Sequence, residues 1–252
     1  LAKAILARNL WLQGYPDQAI ECARAAVEEA AAMDHSLTLA IALIWAITVL
    51  LWTGELQGAG TYIDMLVSRA ESHSLAPYLL VARGFKGDIA IRQGNAGDGV
   101  EDLQGTLRKL HAAPYELLTT ELHLSLIGGL SALGRIDEAI ALADETLAGV
   151  EMNGTLLHSP ELLRMKGSIL LARPASSRDE AETCFSQALA LSRRQGARAW
   201  EMRTAIDVAR LMAGRGDATG AHGLLQPVFE GFAEGSGTAD LTAAKSLLAT
   251  LR

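Results

Sequence analysis

The sequence has few of the residues that mark several common protein classes. Two cysteines among 252 residues are too few for a disulfide-stabilised scaffold. Lysine and arginine (22) are outnumbered by aspartate and glutamate (29), and no basic cluster is present. We therefore expect no direct binding of nucleic acid, which requires cations that neutralise phosphates. Aromatic residues make up 5% of the chain, and no linker rich in Pro, Gly or Ser interrupts its pattern.

A recurring turn is the main positive feature of the sequence. In Gly134-Arg135-Ile136-Asp137-Glu138-Ala139, the glycine is suited to a left-handed helix cap and Asp137 to the N-cap of the next helix. Ala139 supplies a small residue where two helices can approach closely. The glycine-to-small-residue spacing recurs at Gly14 to Ala19, Gly54 to Ala59, Gly94 to Gly99 and Gly216 to Ala221. Gly14, Gly54, Gly94 and Gly134 follow one another at intervals of 40 residues.

A further copy, Asp179-Glu180-Ala181, has the loop Arg173–Ser177 in place of the glycine, and its Asp179, like Asp17 and Asp137, stands where an N-cap is expected. A fixed period of this length indicates a solenoid of stacked repeats. We predict an all-α protein, an α-α superhelix of six helix hairpins with a C-terminal capping helix, forming a single domain over residues 1–252. The predicted hairpins cover residues 1–34, 36–73, 77–111, 115–151, 159–195 and 197–232, and the capping helix covers 239–251.

The stretch from His35 to Gly54 has 20 uncharged residues and is long enough to cross a membrane. It also falls in the register of a first helix, where a central solenoid helix is covered by its neighbours on most sides. Thr38, Thr48 and Thr53, and the absence of flanking basic clusters, favour a buried helix over a membrane span. We therefore expect no membrane partner.

Other candidate sites have ordinary structural explanations. Gly94 to Gly99 resembles a phosphate-binding loop but lacks the Lys-Ser or Lys-Thr that would follow. His35, His73 and His111 recur near the ends of second helices. We expect each to bond the terminal carbonyls and to interact favourably with the negative end of the helix dipole. Cys22 and Cys184 occupy the same slot in repeats one and five, so both are expected to be free thiols, as in a reducing cytoplasm. We find no catalytic, metal-binding or cofactor-binding constellation, and so predict no enzymatic activity.

Small residues at two positions of the hairpins, with bulky ones between, resemble the tetratricopeptide repeat family, although Ile47 and Ile127 depart from the pattern. The small slot of the second helix is followed four residues later by a bulky one at Ile63, Leu103, Phe185 and Leu225. The small partners in the first helices are Ala7, Gly87, Gly167 and Ala209. The 40-residue period exceeds the 34 typical of the family. It resembles the longer-helix variety of large bacterial signalling ATPases and transcriptional activators.

A narrower resemblance covers residues 159–251. Segments that include Pro160–Gly167, Ala181–Phe185, Gln195–Arg203 and Leu224–Val228, followed by Glu234-Gly235, are similar to the C-terminal pattern of multidomain bacterial regulators. In those proteins a DNA-binding or nucleotide-cyclase domain precedes an ATPase domain and a helical repeat tail. Ser236-Gly237 departs from that pattern. The absence of an initial methionine suggests an excised fragment of a longer protein.

In such repeat proteins the outward positions of the first helices line the inner groove. Projecting the repeat register gives the following polar or aromatic candidates: Arg8, Trp11, Asp88, Glu121, Glu161, Arg164, Arg203 and Arg210. Glu161 and Arg164 have the spacing of an ion pair. We expect Arg164, Arg203 and Arg210 to converge into a positive site for a carboxylate, a phosphate or an acidic segment. The alternative is a solvated helix surface with incidental ion pairs.

These features predict a non-enzymatic module of a larger cytoplasmic regulator. It would bind a peptide, a partner protein or another domain of its own parent chain. The alternative is a sensor of a small-molecule inducer, which would control an upstream ATPase, DNA-binding or cyclase domain. Protein docking predicts an open groove, whereas inducer sensing predicts a deep pocket with converging polar groups.

Overall fold

The structure is a computed structural model that describes residues 1–33, 35–173 and 177–251. These residues form thirteen α-helices and one short 3-10 helix, with no β-strand among them. The first helices of the six hairpins are α1 (Ala2–Leu12), α3 (Ser36–Thr53), α5 (Ala76–Arg92), α7 (Thr119–Ala132), α9 (Ser159–Leu171) and α11 (Arg198–Ala213). The second helices are α2 (Pro16–Ala32), α4 (Leu56–Ser72), α6 (Ala96–Ala112), α8 (Ile136–Met152), α10 (Arg178–Gln195) and α12 (Ala218–Glu230). Leu156–His158 is the 3-10 helix, and α13 (Ala239–Thr250) follows the sixth hairpin. The predicted all-α class with six hairpins and a capping helix is confirmed.

The recurring glycines end their helices as predicted. Gly14, Gly54, Gly94, Gly134 and Gly216 all have a positive φ, between 72° and 93°. The residue after each glycine donates its N–H to a carbonyl five residues back, as Arg135 does to Leu130 at 2.9 Å. This bond satisfies carbonyls that the helix end leaves without partners. Repeat five has a loop in place of the turn glycine, and residues 174–176 of that loop lie outside the described residues.

The N-caps predicted at Asp17, Asp137 and Asp179 are wrong by two residues, since each aspartate is the second residue of its helix. Asp17, Asp137 and Asp179 lie inside the first turns of α2, α8 and α10. An acidic side chain there is favoured by the positive end of the helix dipole. Asp217 does act as an N-cap, since its side chain accepts a bond from the N–H of Gly220 at 2.8 Å.

Small residues bring the two helices of a hairpin together. A Cβ on Gly99 would lie 2.6 Å from the carbonyl oxygen of Gly87, and one on Gly167 would lie 3.1 Å from that of Ala181. The other small-slot residues are fully buried: Ala19, Ala59, Ala139 and Ala221. The backbones of paired helices therefore pack at distances that larger side chains would prevent.

The described chain divides into two compact units. Unit 1 consists of residues 1–8 and 19–146; unit 2 consists of residues 9–18 and those from 147 onward. In unit 2, α13 buries Leu241, Ala244 and Leu248 against a core that contains Ile206 and Leu225. The C-terminal helix therefore covers apolar residues of α11 and α12, as expected for a capping helix.

Helix α3 is the central core element of unit 1. It meets the length and hydropathy criteria of a membrane span, but 72% of that 18-residue window is buried inside the protein. Leu43, Ile44 and Ile47 are fully inaccessible to solvent. This burial supports the interpretation of α3 as a core helix, since protein supplies the apolar surroundings that a membrane would otherwise provide.

The three recurring histidines do not share one role. His35 caps the start of α3, where its Nδ1 accepts the N–H of Thr38 at 3.2 Å, so its predicted C-terminal role is wrong. His73 is the C-cap residue of α4, while Nδ1 of His111, in the last turn of α6, lies 3.1 Å from Oε1 of Glu116. Neither Cys22 nor Cys184 forms a disulfide bond with another described residue.

Candidate functional site

The predicted groove residues of unit 1 include an arginine that packs against two aromatic rings. We call this group the Arg8 cluster (Arg8, Trp45, Trp52 and Glu121). The guanidinium carbon of Arg8 lies 4.3 Å from the ring centre of Trp45 and 5.4 Å from that of Trp52. Nη2 of Arg8 donates to Oε1 of Glu121 at 3.3 Å. Residues of α1, α3 and α7, the first helices of three different hairpins, therefore meet here.

Arg8 is buried without full pairing of its charge. Its side chain is 16% exposed, and its Nε is buried without a hydrogen-bond partner among the described residues. Burial lowers the pKa of Arg8, and the nearby charge of Glu121 only partly opposes this effect. The two indole rings partly offset the cost of burying this charge, because the faces of aromatic rings attract cations.

Asp88, the remaining predicted residue of unit 1, pairs within its own helix. Its Oδ1 accepts from Nε of Arg92 at 2.8 Å, and Asp88 itself is buried. Nη1 of Arg92 also donates to the carbonyl of Leu51 at 3.0 Å, which ties α5 to α3. These contacts give Asp88 a structural role.

In unit 2 the predicted residues form a larger network, here called the Arg203 cluster (Trp11, Glu161, Arg164, Trp200, Arg203, Asp207 and Asp240). The predicted pairing within α9 is present: Nε and Nη2 of Arg164 donate to the two carboxylate oxygens of Glu161 at 2.7 and 2.9 Å. Nη1 of Arg164 reaches Asp207 of α11. All three nitrogens of this guanidinium therefore have carboxylate partners.

Arg203 connects three helices of unit 2. Its Nε donates to Asp240 of α13 at 2.8 Å, and its Nη1 donates to Glu161 of α9 at 3.2 Å. The guanidinium carbon lies 5.1 Å from the ring centres of both Trp11 and Trp200, which are in edge contact at 4.7 Å. Arg203 is thus a tie between helices as well as a charged group.

The charges of the Arg203 cluster balance when Arg210, which pairs with Asp207, is included. Burial alone would raise the pKa of Glu161, but Arg164 and Arg203 outweigh it and lower this pKa to about 2. Burial of Arg164 and Arg203 would lower their pKa values, yet the neighbouring carboxylates raise both. Arg210 pairs with Asp207 at 3.3 Å and is 56% exposed. The predicted positive site is therefore wrong, because Glu161, Asp207 and Asp240 neutralise the three arginines.

The loop between α12 and α13 docks on the first turn of α2. Glu234 accepts from the backbone N–H of Gln18 at 3.0 Å and from its side-chain amide at 2.9 Å. Asp17 accepts from the N–H of Gly235 at 2.9 Å. The Glu234-Gly235 pair of the sequence pattern therefore joins residues 16–18 to the C-terminal loop.

Sequence reasoning missed Trp45, Trp52, Trp200, Asp207 and Asp240. Asp207 lies four residues after Arg203 and three before Arg210, so helical spacing placed it on their face. The tryptophans fall in apolar stretches that predict only burial. Asp240 has no local signal, because its partner Arg203 is 37 residues away.

The described parts of unit 2 contain no roomy cavity beside Arg203. The cavity lined by Trp11, Met202 and Asp240 has a volume of about 10 Å³, room for a single water. Among the described residues, no group of three or more His, Cys, Asp or Glu side chains could hold a metal ion. The Arg203 cluster is therefore a packed network, whereas the Arg8 cluster retains unfilled hydrogen-bonding capacity.

Comparison with known proteins identifies the fold. No protein family and no characterised protein matches the sequence. Among solved structures, the apo form of RapI is similar over 98% of this chain and 80% of that one, with a TM-score of 0.59 and 11% identity. A putative kinesin light chain with TPR-like repeats from Podosopora anserina covers 77% of this chain and 94% of its own, at 17% identity and a TM-score of 0.47. The chain is an α-α superhelix of TPR-like hairpins.

Proposed function

We propose that this chain is a non-enzymatic binding and regulatory module that docks a peptide, a partner protein or another domain of its parent chain through its first helices. The convergence of charged and aromatic side chains from different first helices carries the proposal. Arg8 of α1 meets Glu121 of α7 across 113 residues of sequence, and Trp45 of α3 packs on the same guanidinium. Helical repeat proteins usually bind their partners on the surface that their first helices line.

The parent protein would be a larger bacterial signalling or transcriptional regulator in the cytoplasm. The pattern in residues 159–251 supports this context, since it is similar to the repeat tail that follows an ATPase domain in such proteins. The docking of Glu234 and Gly235 on residues 16–18 gives two residues of that pattern a structural role. In this arrangement the module would transmit partner binding to the upstream domain.

A small-ligand sensor is the second candidate function. The incompletely paired guanidinium of Arg8 favours it, because buried polar donors without partners are typical of sites that a ligand completes. An inducer bound there would contact three first helices of unit 1 at once. The two candidates share the first-helix surface and differ in what occupies it.

A peptide-display selection against the purified chain tests the leading proposal. Selected peptides are measured by calorimetry against wild type, Arg210→Glu on first helix α11, and Arg24→Glu on second helix α2. The two arginines are similarly exposed, at 56% and 53%. We expect Arg210→Glu to weaken binding about fivefold or more, the effect of losing one exposed charged contact, and Arg24→Glu to leave it unchanged. Failure to select any peptide that binds would contradict the proposed function, and equal effects of the two variants would contradict the surface.

A further inference from the structure

The arginines of the two clusters differ in how completely their N–H groups are used. Arg164 has a carboxylate partner on Nε, Nη1 and Nη2. Arg8, with a similarly buried side chain, uses only Nη2 among the described residues, in one bond of 3.3 Å to Glu121. A guanidinium has five N–H donors in a planar fork that suits two-point binding of an oxyanion. Most of the Arg8 fork therefore has no acceptor within the part of the chain that the structure describes.

A buried cation without a full set of acceptors is unfavourable unless a further group completes it. Two indole rings lie beside the guanidinium of Arg8, and Trp45 is half-buried, so part of this aromatic surface is open to solvent. The side chain of Arg8 keeps 16% of its surface exposed, so the site is not closed to solvent, although Nε itself is buried. The direction of its pKa shift agrees with this geometry, because burial outweighs the single carboxylate.

We propose that Arg8 is the anchor of a binding site for an oxyanion carried on an apolar body, with Trp45 and Trp52 packing against that body. The oxyanion is a carboxylate of the ligand, which is either a free small acid or an acidic side chain of a peptide. The oxyanion accepts hydrogen bonds from the unused N–H groups of Arg8, in competition with Glu121. This inference rests on the proposed function and names the chemistry of its ligand.

Charged and neutral probes of equal shape test the site. Phenylacetate and phenylacetamide represent the free acid and its control; the blocked peptides Ac-Phe-Glu-Ala-NH2 and Ac-Phe-Gln-Ala-NH2 represent the peptide source. Binding is followed by 19F NMR of protein labelled with 5-fluorotryptophan, which reports separately on Trp45 and Trp52. We expect at least one charged probe to bind about tenfold tighter than its neutral partner, as for a charge-assisted hydrogen bond. Which pair shows the preference identifies the source.

Two substitutions in opposite directions separate binding from a structural role. Arg8→Gln removes the cation and is expected to abolish the preference for the charged probe. Glu121→Gln removes the competing carboxylate and is expected to tighten binding of the charged probe severalfold. Arg24→Gln, at an exposed arginine of α2 in the same unit, serves as the control and should behave as wild type. Glu121→Gln keeps the proposal testable even if Arg8→Gln fails to fold.

Equal binding of charged and neutral probes, no binding of either pair, or weaker binding of the charged probe to Glu121→Gln would overturn the inference. The outcome is distinguishable from failure of the proposed function. Display peptides that bind without dependence on Arg8 would retain the binding module and reject this site. Phenylacetate binding through Arg8 without any peptide binding would retain the site and favour the small-ligand sensor.

Discussion

At the scale of single residues, the half-buried arginines of the two clusters divide into those paired with carboxylates at two or more nitrogens, at least one of these carboxylates on another helix, and those, such as Arg8, with donors left over among the described residues. Arg203 belongs to the first group. Its substitution by alanine leaves Asp240 and one side of Glu161 without a partner, and removes a cation packed against two indoles. We expect Arg203→Ala to lower the free energy of unfolding by about 3 kcal/mol, measured by chemical denaturation.

Arg210→Ala is the matched control on the same helix. Because Arg210 is 56% exposed and contacts only the edge of the network, its loss should change the unfolding free energy by less than about 0.5 kcal/mol. Equal effects of the two substitutions would show that Arg203 does not tie α9 and α13 to α11.

The ionisation of Glu161 makes the free energy of unfolding of unit 2 depend on pH. Its pKa is lowered from 4.5 to about 2 by the two arginines, so the unfolded chain takes up this proton at a higher pH than the folded one. The stabilisation is complete above about pH 4.5 and is lost as the pH falls towards 2, with a total of about 3 kcal/mol. Glu161→Gln should remove this component from the pH dependence of the unfolding free energy. A denaturation series in which wild type and variant fall in parallel below pH 4.5 would contradict the pairing.

At the scale of elements, close packing within a hairpin depends on glycine in α6. A methyl group on Gly99 would lie 2.6 Å from the carbonyl oxygen of Gly87 and 2.6 Å from a side-chain carbon of Ile91. Gly99→Ala is therefore expected to destabilise the protein by about 2 kcal/mol, since the two helices must move apart.

Gly105 in the same helix has open space around its Cβ position. Gly105→Ala should stabilise by about 0.5 to 1 kcal/mol, because alanine is the better helix former. Thermal or chemical denaturation of both variants gives the comparison. The same sign of change at both positions would mean that α5 and α6 do not approach as closely as described.

The loop between α12 and α13 offers a second pair of glycines. Gly235 has a φ of 82°, and a Cβ there would overlap the ring of Pro16. Gly237, two residues on, has nothing near its Cβ position. We expect Gly235→Ala to destabilise by about 2 kcal/mol or more and Gly237→Ala to be nearly neutral, as measured by chemical denaturation.

Hydrogen exchange of the Gly235→Ala variant tests whether this loop holds the start of α2. If Gly235→Ala releases the loop, the amides of residues 233–238 and of Gln18 should exchange faster together. Faster exchange of the loop alone, with Gln18 unchanged, would show that Glu234 does not hold the start of α2.

At the scale of the whole molecule, the repeat itself was predictable because its signals are local. Gly134 and its equivalents specify turns through their own backbone freedom, and Ala139 and its equivalents specify close approach through their size. The ion pair of Glu161 with Arg164 was predictable for the same reason, since three residues along a helix bring two side chains together.

The charge balance of the site was not predictable, because it depends on contacts between distant elements. Arg203 and Asp240 are 37 residues apart, and Arg8 and Glu121 are 113 apart. The register placed the arginines, Glu121 and Glu161 on the first helices but did not identify Asp207 and Asp240, which complete the network. For this reason the sequence predicted a positive site where unit 2 has a neutral network.

The central claim, that the first helices form the binding surface, is tested most directly by hydrogen–deuterium exchange of the purified chain with and without a selected peptide. We predict that protection on binding is concentrated in first helices such as α1, α3, α7 and α11, with little change in α2, α4, α6 and α8. Protection concentrated in the second helices, at equal occupancy of the peptide, would contradict this claim.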